Sequence, residues 1–158
     1  MSERSVGRGR RRARPFAAPV AHRLVRARVT RFRREELVGT ARDYLAALDR
    51  LDLGAALGFF ATDAVFTIQS AHQVFEGQEE IERLWSEVLG AHAGMRHTVT
   101  NVVVDEPARK VVTEQTFRGE LGTGVVEERH SIYVFEFDES GVSSRVIVWI
   151  DGATPARP

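Results

Sequence analysis

The sequence predicts a single α+β domain in which helices cover one face of a curved antiparallel sheet. Two short amphipathic segments precede the first strand, a third segment has clear helical periodicity, and the remaining body alternates apolar and polar residues between tight turns. Helices that come first and strands that follow favour a layout with the helices packed on one side of the sheet. A chain of 158 residues is long enough for one such domain with a substantial core.

The first helix is predicted over residues 34–50, where apolar side chains recur at helical spacing. Asp52 is a good N-cap for a second helix over 53–60, because its carboxylate can accept hydrogen bonds from the exposed N–H groups of the first turn. A strand over 64–69 follows, since this segment is rich in residues that favour extended structure. The apolar face of the first helix consists of Tyr44, Ala47, Leu48 and Leu51.

A third helix over 79–91 and four long strands complete the predicted domain. A short segment over 73–75 is expected to pair just before this helix. The helix presents Ile81, Leu84, Trp85, Val88 and Leu89 at helical spacing. Tight turns separate the long strands and predict antiparallel pairing. These strands are predicted over 95–105, 110–119, 125–137 and 142–151.

The charge distribution divides the chain into three parts. Residues 1–34 hold 12 Arg against one acid, a balance of +11, and have weak periodicity. We therefore predict a disordered Arg-rich arm over 1–33, a folded domain over 34–151 and an unstructured tail over 152–158. The chain has 21 Arg and one Lys, as GC-rich coding produces, so translated upstream sequence with a true start near Val29 competes with a functional arm.

Composition excludes several classes of function. The chain has no cysteine, which excludes disulfides, zinc–thiolate sites, iron–sulfur clusters and thiol nucleophiles. The histidines have no metal-binding spacing and no phosphate-binding glycine loop is present, so we expect neither metal nor cofactor. No apolar run approaches the ~20 residues of a membrane span, and no secretory signal is recognisable, so we expect a cytoplasmic protein. Despite the basic arm we do not predict a nucleic-acid partner. The weaker hypothesis that the arm recruits nucleic acid or an acidic partner predicts strongly salt-dependent binding that is lost when the arm is truncated.

Several phrases of the chain resemble a known family. They are RDYLAALDRLDL, FFATDAVF, FEGQEEIERLW, YVFEFDESGV and VIVWID. With the order α-α-β-α-β-β-β-β, they look like the SnoaL-like branch of the nuclear transport factor two-like superfamily over residues 35–151. The resemblance implies a cone-shaped sheet wrapped around three helices, with a pocket inside. Members include ketosteroid isomerase, scytalone dehydratase, limonene epoxide hydrolase and polyketide cyclases, and many others are binding or assembly modules without chemistry.

The resemblance implies roles for individual residues. Tyr44 and Tyr133 fall where ketosteroid isomerase has its two oxyanion donors, and Ile68 falls where that enzyme has its catalytic base. Asp49 matches the pocket aspartate of scytalone dehydratase, and His97 matches its first catalytic histidine. Gln115 stands where the second histidine of scytalone dehydratase would be, so no complete catalytic set of either enzyme is present.

His97 is the strongest candidate for acid–base chemistry. A neutral imidazole can take or give a proton near pH 7, and Asp49 could orient it across the pocket. Tyr44 and Tyr133 could donate hydrogen bonds to developing charge. The competing interpretations are a core histidine bonded to a backbone carbonyl, an aspartate that only ends its helix, and two aromatic core residues.

A second group of residues is predicted to shape the pocket. Asn101 and Gln115 share the inward parity of His97 and would position a polar group, the alternative being amide pairing across strands. The predicted apolar wall consists of Trp85, Ile68 and Phe60. Glu127 and Arg129 also face inward, where we expect an ion pair near the open end rather than a ligand site.

The last two strands predict an apolar outer face that needs a cover. Ile132 and Val134 lie on one strand, and Ile147 and Trp149 lie on the other. Because no helix is left to cover them, we expect a homodimer through this face.

Two functions are compatible with the sequence. The first is a cofactor-free isomerase, dehydratase or cyclase that acts on a small apolar molecule with a carbonyl or hydroxyl group, epoxide hydrolysis being less favoured. The second is a non-catalytic ligand-binding or dimerisation module of the same fold. Contact between Asp49 and His97 within hydrogen-bonding reach inside an enclosed cavity would favour the enzyme.

Overall fold

The computed structural model describes residues 32–151 together with the backbone of 154–155. The predicted α+β cone is confirmed: three helices pack on a curved, unclosed sheet. The predicted disordered arm, apart from residues 32–33, lies outside the described residues, as do residues 152–153 and 156–158. In the described part, no helix is long and apolar enough to cross a membrane.

The first helix, α1, spans Arg34–Asp49, close to the predicted bounds. The backbone N–H of Arg33 donates to the Glu36 carboxylate at its start (2.8 Å). Helix α2 covers Leu53–Leu57, and Asp52 caps it as predicted, since its Oδ1 accepts from the Ala55 N–H (3.0 Å). The turn between the two helices brings Leu51 to a positive φ of 54°.

The strand after α2 starts earlier than predicted. Strand β1 spans Phe60–Ile68, so residues 58–60 are not helical. Gly58 lies immediately after α2, and the chain turns there into extended structure. A single 3-10 turn at Gln69–Ala71 leads to β2 at Gln73–Glu76. The third helix, α3, spans Gly77–Ala91.

Four long strands follow as predicted: β3 His92–Asp105, β4 Lys110–Leu121, β5 Val126–Phe137 and β6 Ser143–Ile150. The strand order in the sheet is β2-β1-β6-β5-β4-β3. Neighbouring pairs from β3 to β6 are antiparallel, but β1 pairs in parallel with β6. The sheet is therefore mixed rather than purely antiparallel. The parallel pair arises where β6, the last strand of the run that starts with β3 at the far edge, comes to lie beside β1.

Two irregularities in β3 change which residues face the helices. The register against β4 shifts between His92 and Gly94 and again between Val99 and Asn101. A bulge places an extra residue in one strand and inverts the alternation beyond it. On the far side of the second bulge Val102 and Val104 are half-buried, whereas Asn101 and Val103 are exposed. The predicted inward position of Asn101 is therefore wrong.

The chain end departs from the predicted unstructured tail at one point. Thr154–Pro155 form a short strand, β7, that pairs with Glu127 and Glu128 of β5. The pairing of β6 with β5 reaches only as far as Ser131, so this stretch of β5 still offers backbone hydrogen-bonding groups.

The outer face of β5 and β6 carries the four predicted apolar residues. Ile132 lies opposite Trp149, and Val134 lies opposite Ile147 in the register of the two strands. The exposed fractions of Ile132 and Trp149 are 41% and 42%. The opposite face supplies the core, in which Tyr133, Phe135 and Phe137 are buried.

Candidate functional site

A pocket of about 590 Å³ lies between the inner face of the sheet and helix α3. Four of the predicted site residues line it: His97, Tyr133, Trp85 and Ile68. The wall also has apolar side chains from α3 and three strands, namely Leu84, Val88, Met95, Phe117 and Ile150. Exposed residues of the lining, including Ser70, Gln73 and Asp151, lie where the pocket opens to solvent.

His97 and Asp49 are in direct contact. The His97 Nδ1 lies 2.6 Å from Asp49 Oδ1, and the backbone N–H of His97 donates to the same carboxylate at 2.9 and 3.0 Å. The His97 side chain is 4% exposed and that of Asp49 is 26% exposed. A carboxylate only accepts hydrogen bonds, so Nδ1 carries a hydrogen, and in the neutral form of the ring Nε2 has the lone pair. Asp49 itself stands behind the histidine and does not line the pocket.

Tyr133 lies beside this pair. Its ring centroid is 6.5 Å from that of His97, in an edge-on arrangement, and it stacks on Phe135 at 5.8 Å. Burial raises the pKa of the Tyr133 phenol, and the negative charge of Asp49 raises it further. The phenol therefore keeps its hydrogen at neutral pH and can donate it to an oxygen in the pocket.

Tyr44 and Phe60 lie in the core outside this pocket. The Tyr44 ring packs edge-on against Phe60, Trp85 and Phe135, with centroid distances of 5.4 to 6.1 Å. Burial raises the pKa of Tyr44 well above its usual value, and within the described residues its hydroxyl has no hydrogen-bond partner. Tyr44 is therefore a core residue. Although it aligns with an oxyanion donor of ketosteroid isomerase, it does not line the pocket that contains His97.

The two predicted amides also lie away from the pocket lining. Asn101 is exposed beyond the second bulge, and its side-chain oxygen accepts from the Val102 N–H (2.9 Å). Gln115 faces inward as predicted and is 2% exposed, but it is not part of the pocket wall. Neither end of the Gln115 amide has a partner within the described residues.

A second polar group lies in the same pocket and consists of His92, Glu127 and Arg129, of which only His92 was not recognised in the sequence. His92 Nδ1 is 2.7 Å from the Val88 carbonyl oxygen, and His92 Nε2 is 3.1 Å from Glu127 Oε1. Arg129 donates from Nε (3.1 Å) and Nη2 to Glu127 Oε2. The predicted Glu127–Arg129 ion pair is therefore confirmed, and Glu127, Arg129 and His92 all line the pocket. His92 escaped recognition because it lies between the predicted third helix, which ends at residue 91, and the strand predicted from residue 95, whereas β3 in fact begins at His92.

Burial pushes the pKa of Glu127 upward, but hydrogen bonds from Arg129 and His92 outweigh it and hold the pKa below its usual value. Glu127 is therefore ionised at neutral pH. Gly119 provides the space for the ring of His92, since a Cβ there would lie 2.8 Å from His92 Cδ2 and 2.7 Å from Phe117 Cζ. Within residues 32–151, no three His, Asp or Glu side chains are arranged to hold a metal ion.

The comparisons with known proteins agree with this fold. The sequence profile of the SnoaL-like domain matches residues 41–146, more than half of the chain. No curated protein sequence matches the chain.

Solved structures of similar shape come from fungi and bacteria. AusH from Aspergillus nidulans has a TM-score of 0.69 and 24% identity, with 77% of this chain and 88% of AusH covered. The BvnE pinacolase from Penicillium brevicompactum has a TM-score of 0.67 and 19% identity, with 75% and 87% covered. An LEH-like epoxide hydrolase from M. tuberculosis has a TM-score of 0.63 and 21% identity, with 73% and 83% covered. At these identities the likeness shows a shared fold.

Proposed function

Because the chain belongs to the SnoaL-like domain family, we propose that it is a cofactor-free enzyme that transfers protons on a small, mainly apolar molecule. The contact of Asp49 with His97 Nδ1 at the pocket wall is the observation that carries this proposal. A histidine held in one tautomer by a carboxylate is suited to general acid–base chemistry. The apolar wall suits a substrate that is apolar apart from a carbonyl or hydroxyl group.

The proposed reaction begins with His97 as the base. Its Nε2 takes a proton from the carbon next to a substrate carbonyl, and Asp49 stabilises the imidazolium that forms. The Tyr133 hydroxyl donates a hydrogen bond to the carbonyl oxygen, on which negative charge develops. Return of the proton from Nε2 to another carbon completes an isomerisation. Its transfer to a departing hydroxyl completes a dehydration. Attack of the enolate on a second carbonyl, whose oxygen then takes the proton from Nε2, completes a cyclisation.

The second candidate is a ligand-binding module without chemistry. Tyr44 lies outside the pocket lining, which leaves Tyr133 without the second tyrosine donor that the sequence predicted. In this alternative the His97–Asp49 pair fixes β3 to the end of α1, because Asp49 also accepts from the His97 backbone.

Exchange of carbon-bound hydrogen tests the proposal without knowledge of the final product. A panel of apolar cyclic ketones and β-hydroxyketones is incubated with the protein in D2O, and loss of the α-proton signals is followed by NMR. We expect exchange with the wild type and its loss in His97→Gln. The control is His130→Gln, since His130 makes a similar pair with Asp151 on the exposed surface, with Nδ1 3.2 Å from Oδ2. Equal exchange in wild type and His97→Gln would contradict the proposal.

A further inference from the structure

The second polar group of the pocket is held together by the hydrogen bonds of His92, Glu127 and Arg129. The Val88 carbonyl oxygen can only accept, so the Nδ1 of His92 carries a hydrogen. The Nε2 of the same ring lies 3.1 Å from Glu127 Oε1. One oxygen of Glu127 thus faces His92, and the other accepts from Arg129.

Arg129 also has donors to spare. Its Nε and one Nη2 hydrogen are directed to Glu127, and the other three N–H groups have no acceptor among the described residues. The Arg129 side chain is 33% exposed and forms part of the pocket lining. Both carboxylates of the lining already have hydrogen-bond partners. Glu127 accepts from Arg129 and contacts His92, and Asp151 contacts the backbone and ring of His130.

His92, Glu127 and Arg129 are linked by hydrogen bonds in a positioning chain that ends at Arg129. The Val88 carbonyl anchors His92, His92 holds one oxygen of Glu127, and the other oxygen of Glu127 orients the guanidinium of Arg129. Such a fixed guanidinium matches the geometry of a carboxylate, to which it can donate two parallel hydrogen bonds. Glu127 and His92 then act as positioning residues, and Arg129 is the residue that contacts the ligand.

We propose that this end of the pocket binds a carboxylate group of the substrate through Arg129, so that the substrate is an apolar organic acid. This inference adds a substrate class to the proposed enzyme and rests on the proposed function only for the proton transfer that follows binding. The apolar wall holds the hydrocarbon part of the molecule. His97 lies two strands from Arg129 in the same lining, since Phe117 of the strand between them is the register partner of both.

A matched pair of probes tests the charge requirement directly. Binding of 2-naphthoate and of its neutral analogue 2-naphthamide is measured by calorimetry with the wild type, Arg129→Gln, Arg129→Lys and Glu127→Gln. We expect the wild type to bind the carboxylate about tenfold more tightly than the amide, as a charge-assisted pair implies. Arg129→Gln should reduce the ratio to within about threefold by weakening carboxylate binding alone. Arg129→Lys and Glu127→Gln should give intermediate ratios, because charge persists without its orientation.

Two further variants separate this inference from the proposed function. Arg118→Gln is the matched control, since Arg118 of β4 pairs with Glu128 of β5 on the exposed face (2.5 Å), and it should keep the wild-type ratio. His97→Gln should also keep the ratio while it loses proton exchange. If the wild type prefers the carboxylate but exchanges no protons, the proposed proton-transfer activity is refuted and this inference still holds. Equal binding of the two probes, binding of neither, or an unchanged ratio in a folded Arg129→Gln would overturn the inference. If Arg129→Gln does not fold, the ratios in Arg129→Lys and Glu127→Gln decide.

Discussion

Asp49 accepts hydrogen bonds from both the ring and the backbone of His97. The Nδ1–Oδ1 distance is 2.6 Å, and the backbone nitrogen lies 2.9 and 3.0 Å from the two carboxylate oxygens. One side chain at the end of α1 therefore fixes the position of β3 and the tautomer of its histidine. Because the same contact serves the fold and the proposed chemistry, variants must be judged by activity and stability together.

The first prediction concerns this pair. Asp49→Asn and His97→Gln should each lower any proton-transfer activity by about 10²–10⁴-fold, the usual contribution of a positioned acid–base group. The double variant should be little worse than either single one, since the two residues act as a unit. The measurement is turnover or α-proton exchange, with the folded fraction of each variant checked by circular dichroism.

Strictly additive losses in the double variant would show that the two side chains act independently. Full activity in folded Asp49→Asn would limit Asp49 to a structural role.

Much of this site was predictable from the sequence. The helical face of α1, the Asp52 cap and the alternation in β3 placed Asp49 and His97 near one another, and the family resemblance assigned them to a pocket. Asn101 could not be placed correctly, because the bulge between Val99 and Asn101 is a tertiary feature without a glycine or proline to mark it. Tyr44 was on the correct helical face, but periodicity does not distinguish a core contact from a pocket wall.

The second polar group illustrates the same limit. Glu127 and Arg129 are two residues apart on one strand, so their ion pair followed from the sequence alone. His92 lies 35 positions before Glu127, and only the pairing of β3, β4 and β5 brings them together. The parallel pairing of β1 with β6 is equally non-local, which is why tight turns predicted a purely antiparallel sheet.

The second prediction tests the space beside His92. Gly119→Ala should lower the free energy of unfolding by about 1–3 kcal/mol, as overpacking does, because the new Cβ would lie 2.7 to 2.9 Å from Phe117 and the His92 ring. Urea unfolding measures the loss. Gly94→Ala is the control, since a Cβ there meets no heavy atom within 4 Å.

The His92→Ala background provides a second check on this reason. If the clash with the imidazole is the cause, Gly119→Ala should cost less stability there than in the wild type. An equal cost in both backgrounds would assign the effect to Phe117.

The third prediction concerns the outer face of β5 and β6, which we propose as a homodimer interface. Ile132 and Trp149 are cross-strand neighbours, each about two-fifths exposed, and Val134 and Ile147 extend the patch. Trp149→Glu should convert a dimer to a monomer in light scattering, because an interface core excludes an unpaired charge. Val74→Glu, at an exposed apolar residue of β2, should leave the dimer intact. A wild type that is monomeric at high protein concentration would end this proposal.

The fourth prediction concerns acid stability and follows from Glu127. Its pKa in the folded protein is held below the usual value, because hydrogen bonds from Arg129 and His92 outweigh the effect of burial. A carboxyl group with a depressed folded pKa stabilises the protein at a pH above its unfolded pKa, about 4.3. This contribution is lost as the pH falls through the lower folded value.

Glu127→Gln removes the titrating group and keeps a similar shape. The difference in unfolding free energy between wild type and Glu127→Gln should therefore be largest near neutral pH and shrink as the pH falls below about 4.3. Urea unfolding at a series of pH values measures it, with Glu128→Gln as the control, since Glu128 pairs with Arg118 on the exposed face. A difference that stays constant from pH 7 to pH 3 would mean that the carboxylate of Glu127 gains nothing from His92 and Arg129, and the positioning chain to Arg129 would lose its electrostatic basis.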